Sequence, residues 1–192
     1  MAARAGLPTN EVRVVVSPYR ICPIGAHSDH QGGPVLAMAV SAYTLVAFVP
    51  APSSEVKVTS DNFSGEVIFD LSHPAVDDLP DWGVYAVGAA RAFDERWSTA
   101  HGIVAQVGGT LPGGGLSSSA SVTLAYLMAF ADANTVTLDA PALVALALRA
   151  ERDFVGVKVG ILDPAAIAGA RRDHLLAIET RDRRWTPLAA GP

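Results

Sequence analysis

The sequence has 192 residues, 50% of them hydrophobic and 17% charged, which suits one domain, or one domain and part of a second, with a sizeable core. A net charge of −5 without a basic cluster argues against a nucleic-acid surface, and no apolar run is long enough to span a membrane. The single cysteine, Cys22, cannot form an internal disulfide, which favours a reducing, cytoplasmic compartment.

The predicted strands are apolar runs rich in β-branched residues and closed by proline, glycine or serine. Residues 1–10 are expected to form a flexible leader, and residues 11–192 the domain itself. The first strand is expected to end at Ser17 and Pro18, because proline cannot donate a backbone hydrogen bond. The predicted strands cover residues 12–16, 41–49, 55–60, 65–69, 102–107 and, as the last one, 175–180.

The predicted helices are segments in which apolar residues recur every three or four positions. The helix over 141–154 is expected to begin after Asp139 as its N-cap, and the helix over 161–169 to be opened by Asp163, with Pro164 as its first residue. Strands followed by helices predict an α+β fold. The predicted helices cover residues 82–96, 118–131, 141–154 and 161–169.

Residues 111–121, Leu-Pro-Gly-Gly-Gly-Leu-Ser-Ser-Ser-Ala-Ser, are the most informative segment, and they run directly into the apolar segment 122–130. Glycines let the backbone approach a ligand closely, and a helix start gathers unpaired N–H groups that bind phosphate oxygens. No lysine follows the last glycine as it does in a P-loop, and a flexible turn capped by serine is the alternative. The segment favours a protein that handles a phosphorylated ligand.

Residues 19–33 form a second polar segment, in which Arg20, His27, Asp29 and His30 lie among turn-forming glycines. Such a cluster of donors and acceptors on a loop suits a polyhydroxy ligand. The two histidines that flank Asp29 are also compatible with a metal site, although a third and a fourth ligand are not evident. An ordinary polar loop is the remaining alternative.

Two carboxylates, Glu151 and Asp163, form the third group of candidate residues. Glu151 lies near the end of a predicted helix and can offer an oxygen to Mg²⁺, which prefers oxygen ligands. Asp163 follows an apolar Gly-Ile-Leu, so it is either a helix N-cap or a base partly shielded from water. Together with Arg20 and the serine-rich loop, these carboxylates supply the groups that phosphoryl transfer requires.

The C-terminal part of the chain is basic but mixed in charge, because Asp173, Glu179 and Asp182 are interleaved with five arginines. This alternation predicts a solvated surface, with a binding patch as the alternative. The five arginines are Arg171, Arg172, Arg181, Arg183 and Arg184.

The three segments together resemble the motifs of the GHMP kinases, and in particular of their galactokinase branch. Residues 20–33 are similar to a signature in which arginine is followed by Ile-Gly-Glu-His-Thr-Asp-Tyr-Asn-Gly-Gly, and residues 112–121 are similar to the second motif. Residues 160–163, Gly-Ile-Leu-Asp, are similar to the Gly-Ile-Met-Asp that carries the catalytic aspartate. The resemblance implies a GHMP kinase N-terminal domain, with the fold of domain 2 of ribosomal protein S5, that uses ATP and Mg²⁺ to phosphorylate a sugar at its anomeric hydroxyl.

The resemblance also implies a role for each matching residue. Asp163 would be the catalytic base at the anomeric hydroxyl, and Arg20 would neutralise the transferring phosphoryl group and orient Asp163. Ser119 and Glu151 would hold Mg²⁺. The implied nucleotide-binding residues are Trp82 and Tyr85 beside the adenine, and Gly113, Gly114, Gly115, Leu116, Ser117 and Ser118 around the phosphates. The implied substrate-binding residues are Ala26, His27, Asp29, His30 and Gly33.

Ala26 departs from the family pattern, because galactokinases have a glutamate there that contacts the sugar's 6-hydroxyl. Alanine removes a negative charge that would repel a C6 carboxylate, and residues 17–33 are close to those of plant-type galacturonokinases. We therefore predict D-galacturonate as the substrate, with its carboxylate near His30 or a backbone amide, and D-galactose as the alternative. Pro164 is a second departure, since the family has glutamine there and proline removes a backbone donor beside Asp163.

Family members are about twice as long as this chain, and their C-terminal half carries a third, glycine-rich motif that nothing after Leu175 resembles. The chain is therefore expected to be an N-terminal half, largely without the ferredoxin-like C-terminal domain, and to be inactive or weakly active alone. A non-catalytic sugar- or nucleotide-binding relative is the alternative. The missing motif favours that alternative, whereas the complete set of Arg20, Ser119, Glu151 and Asp163 disfavours it.

Overall fold

The structure, a computed structural model, describes residues 11–26, 28–74, 78–111 and 115–189. Its strands are β1 (Arg13–Ile24), β2 (Val35–Pro50), β3 (Glu55–Ser60), β4 (Glu66–Asp70), β5 (Ile103–Gly109), β6 (His174–Glu179) and β7 (Arg184–Ala189). Its helices are α1 (Val84–Asp94), α2 (Ser118–Ala133), α3 (Ala140–Arg149) and α4 (Leu162–Ala168). Short 3₁₀ turns cover Asp29–Gln31 and Asp81–Gly83, and a π-helical turn covers Ala150–Val155. This architecture confirms the predicted α+β fold.

The described strands form one sheet in the order β4-β3-β5-β2-β6-β7, with β1 also paired to β2. Neighbouring strands are antiparallel except β3 and β5, which run parallel because the chain crosses between them through β4 and α1. Residues 35–37 of β2 pair with β6, and residues 44–50 pair with β5. The long strand β2 therefore joins the two ends of the sheet.

β1 continues through Ser17 and Pro18 to Ile24, so the prediction that it ends at this dipeptide was wrong. The register of its pairing with β2 shifts between Pro18 and Tyr19. The proline lies at this irregularity, where its missing N–H interrupts the ladder least. The extension places Arg20 in a strand of the sheet and not in a loop.

α2 is apolar on nearly all sides, and it packs against α1, α3, α4, β1 and β2. Leu124, Tyr126, Leu127 and Phe130 of this helix are no more than 1% exposed. Phe93 of α1 lies beside Phe130, with the ring centroids 6.3 Å apart. This packing sets the position of the serine-led start of α2. None of the helices in the described segments has the length and apolarity that crossing a bilayer requires.

Asp139 caps α3 as predicted, because its Oδ1 accepts a 2.8 Å hydrogen bond from the N–H of Ala142. The single helix predicted over 141–154 is in fact α3 followed by the wider π-helical turn. Gly156 ends this turn with a φ of 82°, a left-handed conformation that glycine adopts without strain.

Asp163 lies in the first turn of α4 and is not its N-cap, a position that Ile161 occupies. Pro164 is the third residue of α4 and not the first, so its predicted position was wrong by two residues. A backbone N–H at this position has no partner within the helix, so the proline removes no helical hydrogen bond. The strand predicted as the last one is followed by β7, which the sequence analysis missed. β7 contains Pro187 and lies at the edge of the sheet, where proline is tolerated.

Phe93→Ala is expected to lower the free energy of unfolding by about 3–5 kcal/mol, because this side chain is fully buried and stacks on Trp97 at 4.9 Å. Phe63→Ala is the control, since Phe63 is 49% exposed, and it should change stability by about 0.5 kcal/mol or less. Urea unfolding of the full encoded polypeptide measures both. Equal losses in the two variants would contradict the core described above.

Candidate active site

An ion pair between Arg20 of β1 and Asp163 of α4 lies at the centre of the candidate site. The Nη2 and Nε atoms of Arg20 are 2.6 and 2.7 Å from Oδ1 of Asp163. The two side chains are 17% and 23% exposed, so the pair is shielded from bulk water but still accessible to a ligand. The contact forms because β1 continues past Pro18 and α4 begins one residue before Asp163.

Ser117 makes the second contact of the Asp163 carboxylate, since its hydroxyl donates a hydrogen bond to Oδ2. Ser117 has a φ of 60°, a left-handed conformation that is uncommon for a residue with a side chain, and Gly115 has a φ of 69°. The carbonyl of Leu116 accepts a 3.2 Å hydrogen bond from the N–H of Arg20. The loop before α2 is therefore tied to both members of the ion pair.

Sequence reasoning placed Ser117 among the phosphate-binding backbone amides and missed this contact of its hydroxyl. Three successive serines at a helix entrance cannot all face the same direction, because consecutive residues of a helix point about 100° apart. That geometry was the available signal, although it does not identify which serine faces the carboxylate.

Glu151, in the π-helical turn, is only 2% exposed although it carries a carboxyl group. Burial, and after it the negative charge of Asp163, raises the pKa of Glu151 to about 7, while a hydrogen bond from Ser119 acts in the opposite direction. Among the described residues no cationic side chain offsets this burial. A buried carboxyl group beside a hydroxyl is a hard oxygen donor set, which fits Mg²⁺.

A cavity of about 600 Å³ opens beside the start of α2. Ser118 and Ser119 line one part of it, and Trp82 and Tyr85 line another. Burial, and after it the charge of Glu151, raises the pKa of Tyr85. The structure thus brings together four of the residues predicted to contact a nucleotide or its metal, around a space large enough for a base and a sugar.

The segment of residues 25–33, called the sugar loop below, contacts the start of α4 through Asp29. Oδ2 of Asp29 accepts a 3.3 Å hydrogen bond from the N–H of Leu162, and its carboxylate occupies the space that a Cβ on Gly160 would need. Nε2 of His30 is 3.8 Å from Oδ1 of Asp29. The sugar loop is therefore attached to the residue that precedes Asp163.

The other predicted substrate residues are less enclosed. Ala26 is exposed in the turn after β1. The carbonyl of Gly33 accepts a 2.8 Å hydrogen bond from the hydroxyl of Thr180. Three predicted site residues, His27, Gly113 and Gly114, lie outside the described residues, as does the predicted leader over 1–10.

No group of three or more His, Cys, Asp or Glu side chains within the described segments is placed to hold a metal ion. The alternative of a metal site on two histidines is untested, because His27 is not described. A metal ion at Glu151 would need further oxygen ligands from Ser119, water or a bound phosphate.

Two known families match the sequence. Residues 84–170 match the GHMP kinases N terminal domain, and residues 6–50 match the galactokinase galactose-binding signature. The first range contains the serine-led helix, Glu151 and Asp163, and the second contains Arg20 and the sugar loop.

Two relatives of this chain are named as a galacturonokinase and a galactokinase. The galacturonokinase of Arabidopsis thaliana is 39% identical over 87% of this chain and 44% of its own length. The galactokinase of Thermococcus kodakarensis is 36% identical over 91% of this chain and 49% of its own length. The chain thus spans about half the length of the relatives that it matches.

Solved structures agree with these relationships. The galactokinase of Lactococcus lactis, solved in complex with galactose, matches 99% of this chain and 50% of its own with a TM-score of 0.92 and 28% identity. The mevalonate kinase of Methanococcus jannaschii matches 94% of this chain and 57% of its own with a TM-score of 0.78 and 17% identity, a likeness of fold alone.

A double-mutant cycle on Arg20→Ala and Asp163→Ala should give a coupling energy near the upper end of the range of about 0.5–3 kcal/mol seen for contacting residues. A strong coupling is expected because the pair is largely shielded from water and because two nitrogens of Arg20 contact the same oxygen of Asp163. The pair Lys57–Glu66, at 2.9 Å and 42% and 37% exposed, is the control, with an expected coupling of about 0.2–1 kcal/mol. Urea unfolding measures both cycles. A weaker coupling at Arg20 than at Lys57 would contradict this geometry.

Proposed function

This chain belongs to the GHMP kinases, as an N-terminal domain of the galactokinase kind, and from that premise we propose that it carries the substrate and phosphate sites of an ATP-dependent sugar 1-kinase. The observation that carries the proposal is the contact of Arg20 and Ser117 with Asp163 at the start of α2. A carboxylate, a guanidinium and a helix start in one contact network are the groups that transfer of a phosphoryl group to a hydroxyl requires.

Asp163 is proposed as the base that takes the proton of the anomeric hydroxyl. The hydroxyl oxygen then bonds to the γ-phosphorus of ATP while the bond from that phosphorus to the β–γ bridging oxygen breaks, and ADP leaves with the electron pair. A base of this kind must be held in position, and the hydrogen bonds from Arg20 and Ser117 fix the Asp163 carboxylate. Arg20 also supplies positive charge next to the oxygens of the transferring phosphoryl group, which stabilises the transition state electrostatically.

The nucleotide is proposed to lie across the start of α2, with its phosphates on the backbone amides of residues 113–118 and its base beside Trp82 and Tyr85. Ser119 and Glu151 would hold Mg²⁺, which would neutralise the charge of the phosphates when it is bound. The burial of Glu151 without a neighbouring cation supports this assignment, because a bound metal would offset the cost of that burial.

D-Galacturonate is the substrate that we propose. The exposed Ala26 provides no carboxylate where galactokinases have glutamate, so a C6 carboxylate on the sugar would meet no like charge at that position. The 39% identity to a galacturonokinase supports the same assignment. His27 and Asp29 would bind the sugar hydroxyls, and His30 or a backbone amide would lie near the carboxylate.

D-Galactose is the second candidate, because galactokinases are similarly close to this chain, at 36% identity. The match to a galactokinase solved with galactose favours it as well. A non-catalytic binding role is the third candidate, and the intact contacts of Arg20 and Asp163 disfavour it. We further propose that residues 11–192 form one domain, that a second domain completes the enzyme, as the length of the relatives suggests, and that the enzyme is cytoplasmic.

Asp163→Asn should lower kcat for sugar phosphorylation by about 10²- to 10⁴-fold, because the amide cannot accept the proton. Sugar binding, measured by calorimetry, should change little. Asp132→Asn is the control and should leave kcat unchanged, since Asp132 pairs with Arg13 on the exposed surface. The assay measures ADP release by the full encoded polypeptide. Turnover retained by Asp163→Asn would refute the assignment of the base.

The ratio of kcat/KM for D-galacturonate to that for D-galactose should exceed one, and Ala26→Glu should invert it. Like charges about 4 Å apart repel by about 1–4 kcal/mol, depending on the local dielectric. The new glutamate would repel the carboxylate of a uronate by this amount. Ala26→Gln is the matched control, because it adds the same volume without the charge and should shift the ratio less. A natural preference for galactose would end the uronate proposal while leaving the kinase proposal intact.

A further inference from the structure

A polar cavity of about 270 Å³ lies on the side of the sugar loop that faces the turn between β6 and β7. Its lining includes Asp29 and His30 of the sugar loop and three arginines, Arg152, Arg181 and Arg183. Two of these arginines belong to the C-terminal basic segment, for which the sequence predicts a solvated surface, with a binding patch as the alternative. The fold instead brings them to the loop that is proposed to bind the sugar.

This cavity lies close to the proposed reaction centre. Gly160 and Ile161 line it, and Ile161 precedes Asp163 by two residues, so their Cα atoms are at most about 7 Å apart. Asp29, which also lines it, accepts a hydrogen bond from Leu162, the residue between them. The cavity thus lies beside the backbone segment that leads into Asp163.

The turn between β6 and β7 is held against the sugar loop by two contacts. The Thr180 hydroxyl donates to the Gly33 carbonyl at 2.8 Å. Nε of Arg181 lies 3.6 Å from the position that a Cβ on Gly32 would take, so the guanidinium extends over a residue without a side chain. Arg181 thus lies over Gly32 of the loop.

Positive charge exceeds negative charge around this cavity. None of its three arginines has a carboxylate oxygen within 4.0 Å among the described residues. Nε of Arg152 is engaged by the carbonyl of Val159 at 2.7 Å. The carboxylate of Asp29 is already engaged by Leu162 and lies beside His30. The cavity is therefore lined by three exposed arginines and by one carboxylate, that of Asp29, which already accepts a hydrogen bond. This excess of positive charge is suited to binding an anionic ligand.

We propose that this cavity receives the C6 carboxylate of a uronic acid, and that Arg181 is its principal ligand. The inference rests on the proposed function. It adds a group that attracts the carboxylate, whereas Ala26 contributes only the absence of a repelling negative charge. A guanidinium presents two parallel N–H donors that match the two oxygens of a carboxylate. A phosphate group offers similar oxygens, so inorganic phosphate is the competing source of the same chemistry.

Calorimetry on the full encoded polypeptide tests the proposal with D-galacturonate and D-galactose as paired ligands. Arg181→Gln should weaken D-galacturonate binding roughly 10- to 100-fold and change D-galactose binding less than about twofold. Arg181→Lys keeps the charge without the paired donors and should be intermediate. Arg184→Gln is the control, since Arg184 is a near neighbour that pairs with Asp182 outside the cavity, and both affinities should stay unchanged.

Three results would overturn the proposal. The first is that Arg181→Gln binds D-galacturonate with unchanged affinity. The second is that Arg181→Gln weakens the binding of both sugars equally. The third is that Arg181→Gln abolishes the binding of inorganic phosphate while both sugar affinities persist. Thermal unfolding of each variant shows whether the fold is retained, and if Arg181→Gln is unfolded, Arg181→Lys decides alone. Sugar phosphorylation by the unmodified protein is measured beside these experiments. If the full encoded polypeptide phosphorylates neither sugar, the kinase function is refuted. If it phosphorylates the sugar and Arg181→Gln leaves galacturonate binding unchanged, only the carboxylate site is refuted.

Discussion

The carboxylate of Asp163 is the point at which three distant parts of the chain meet, and the geometry of the site depends on it. Arg20 is 143 residues away along the sequence and Ser117 is 46 residues away, yet both donate to the same carboxylate. Charge-assisted hydrogen bonds of this kind are roughly twice as strong as neutral ones. The shared acceptor fixes β1, the start of α2 and α4 relative to one another. The proposed base is thus held by contacts that also hold the fold.

The charges of the site are balanced only in part by the protein itself. Arg20 neutralises Asp163, but Glu151 is buried with no cation beside it among the described residues, and its pKa is raised for that reason. Burying a carboxyl group unpaired is costly. A nucleotide with its metal would bring positive charge to Glu151 and negative charge to the start of α2. The arrangement is therefore one that its ligands would stabilise.

Local signals in the sequence were reliable where a few neighbouring residues decide the structure. The Asp139 cap and the apolar helix α2 are examples, and the motif resemblance identified the family. The features that were missed depend on partners far along the chain. β1 tolerates Pro18 because β2 shifts register there, β7 tolerates Pro187 because it is an edge strand, and Asp163 is not an N-cap because Arg20 and Ser117 engage it. The position of Arg181 against Gly32 depends on the β6–β7 turn, and no periodicity indicates it.

Because a π-helical turn covers Ala150–Val155, the number of residues in this stretch matters as much as their types. A π turn contains one residue more than the corresponding α turn, and Glu151 lies within it, between α3 and the segment that leads to Asp163. A homologue lacking one residue of this stretch would return to α geometry and change the angle between the two carboxyl groups. Such a protein would retain every motif and still separate the proposed metal ligand from the proposed base, so motif inspection alone would misjudge it.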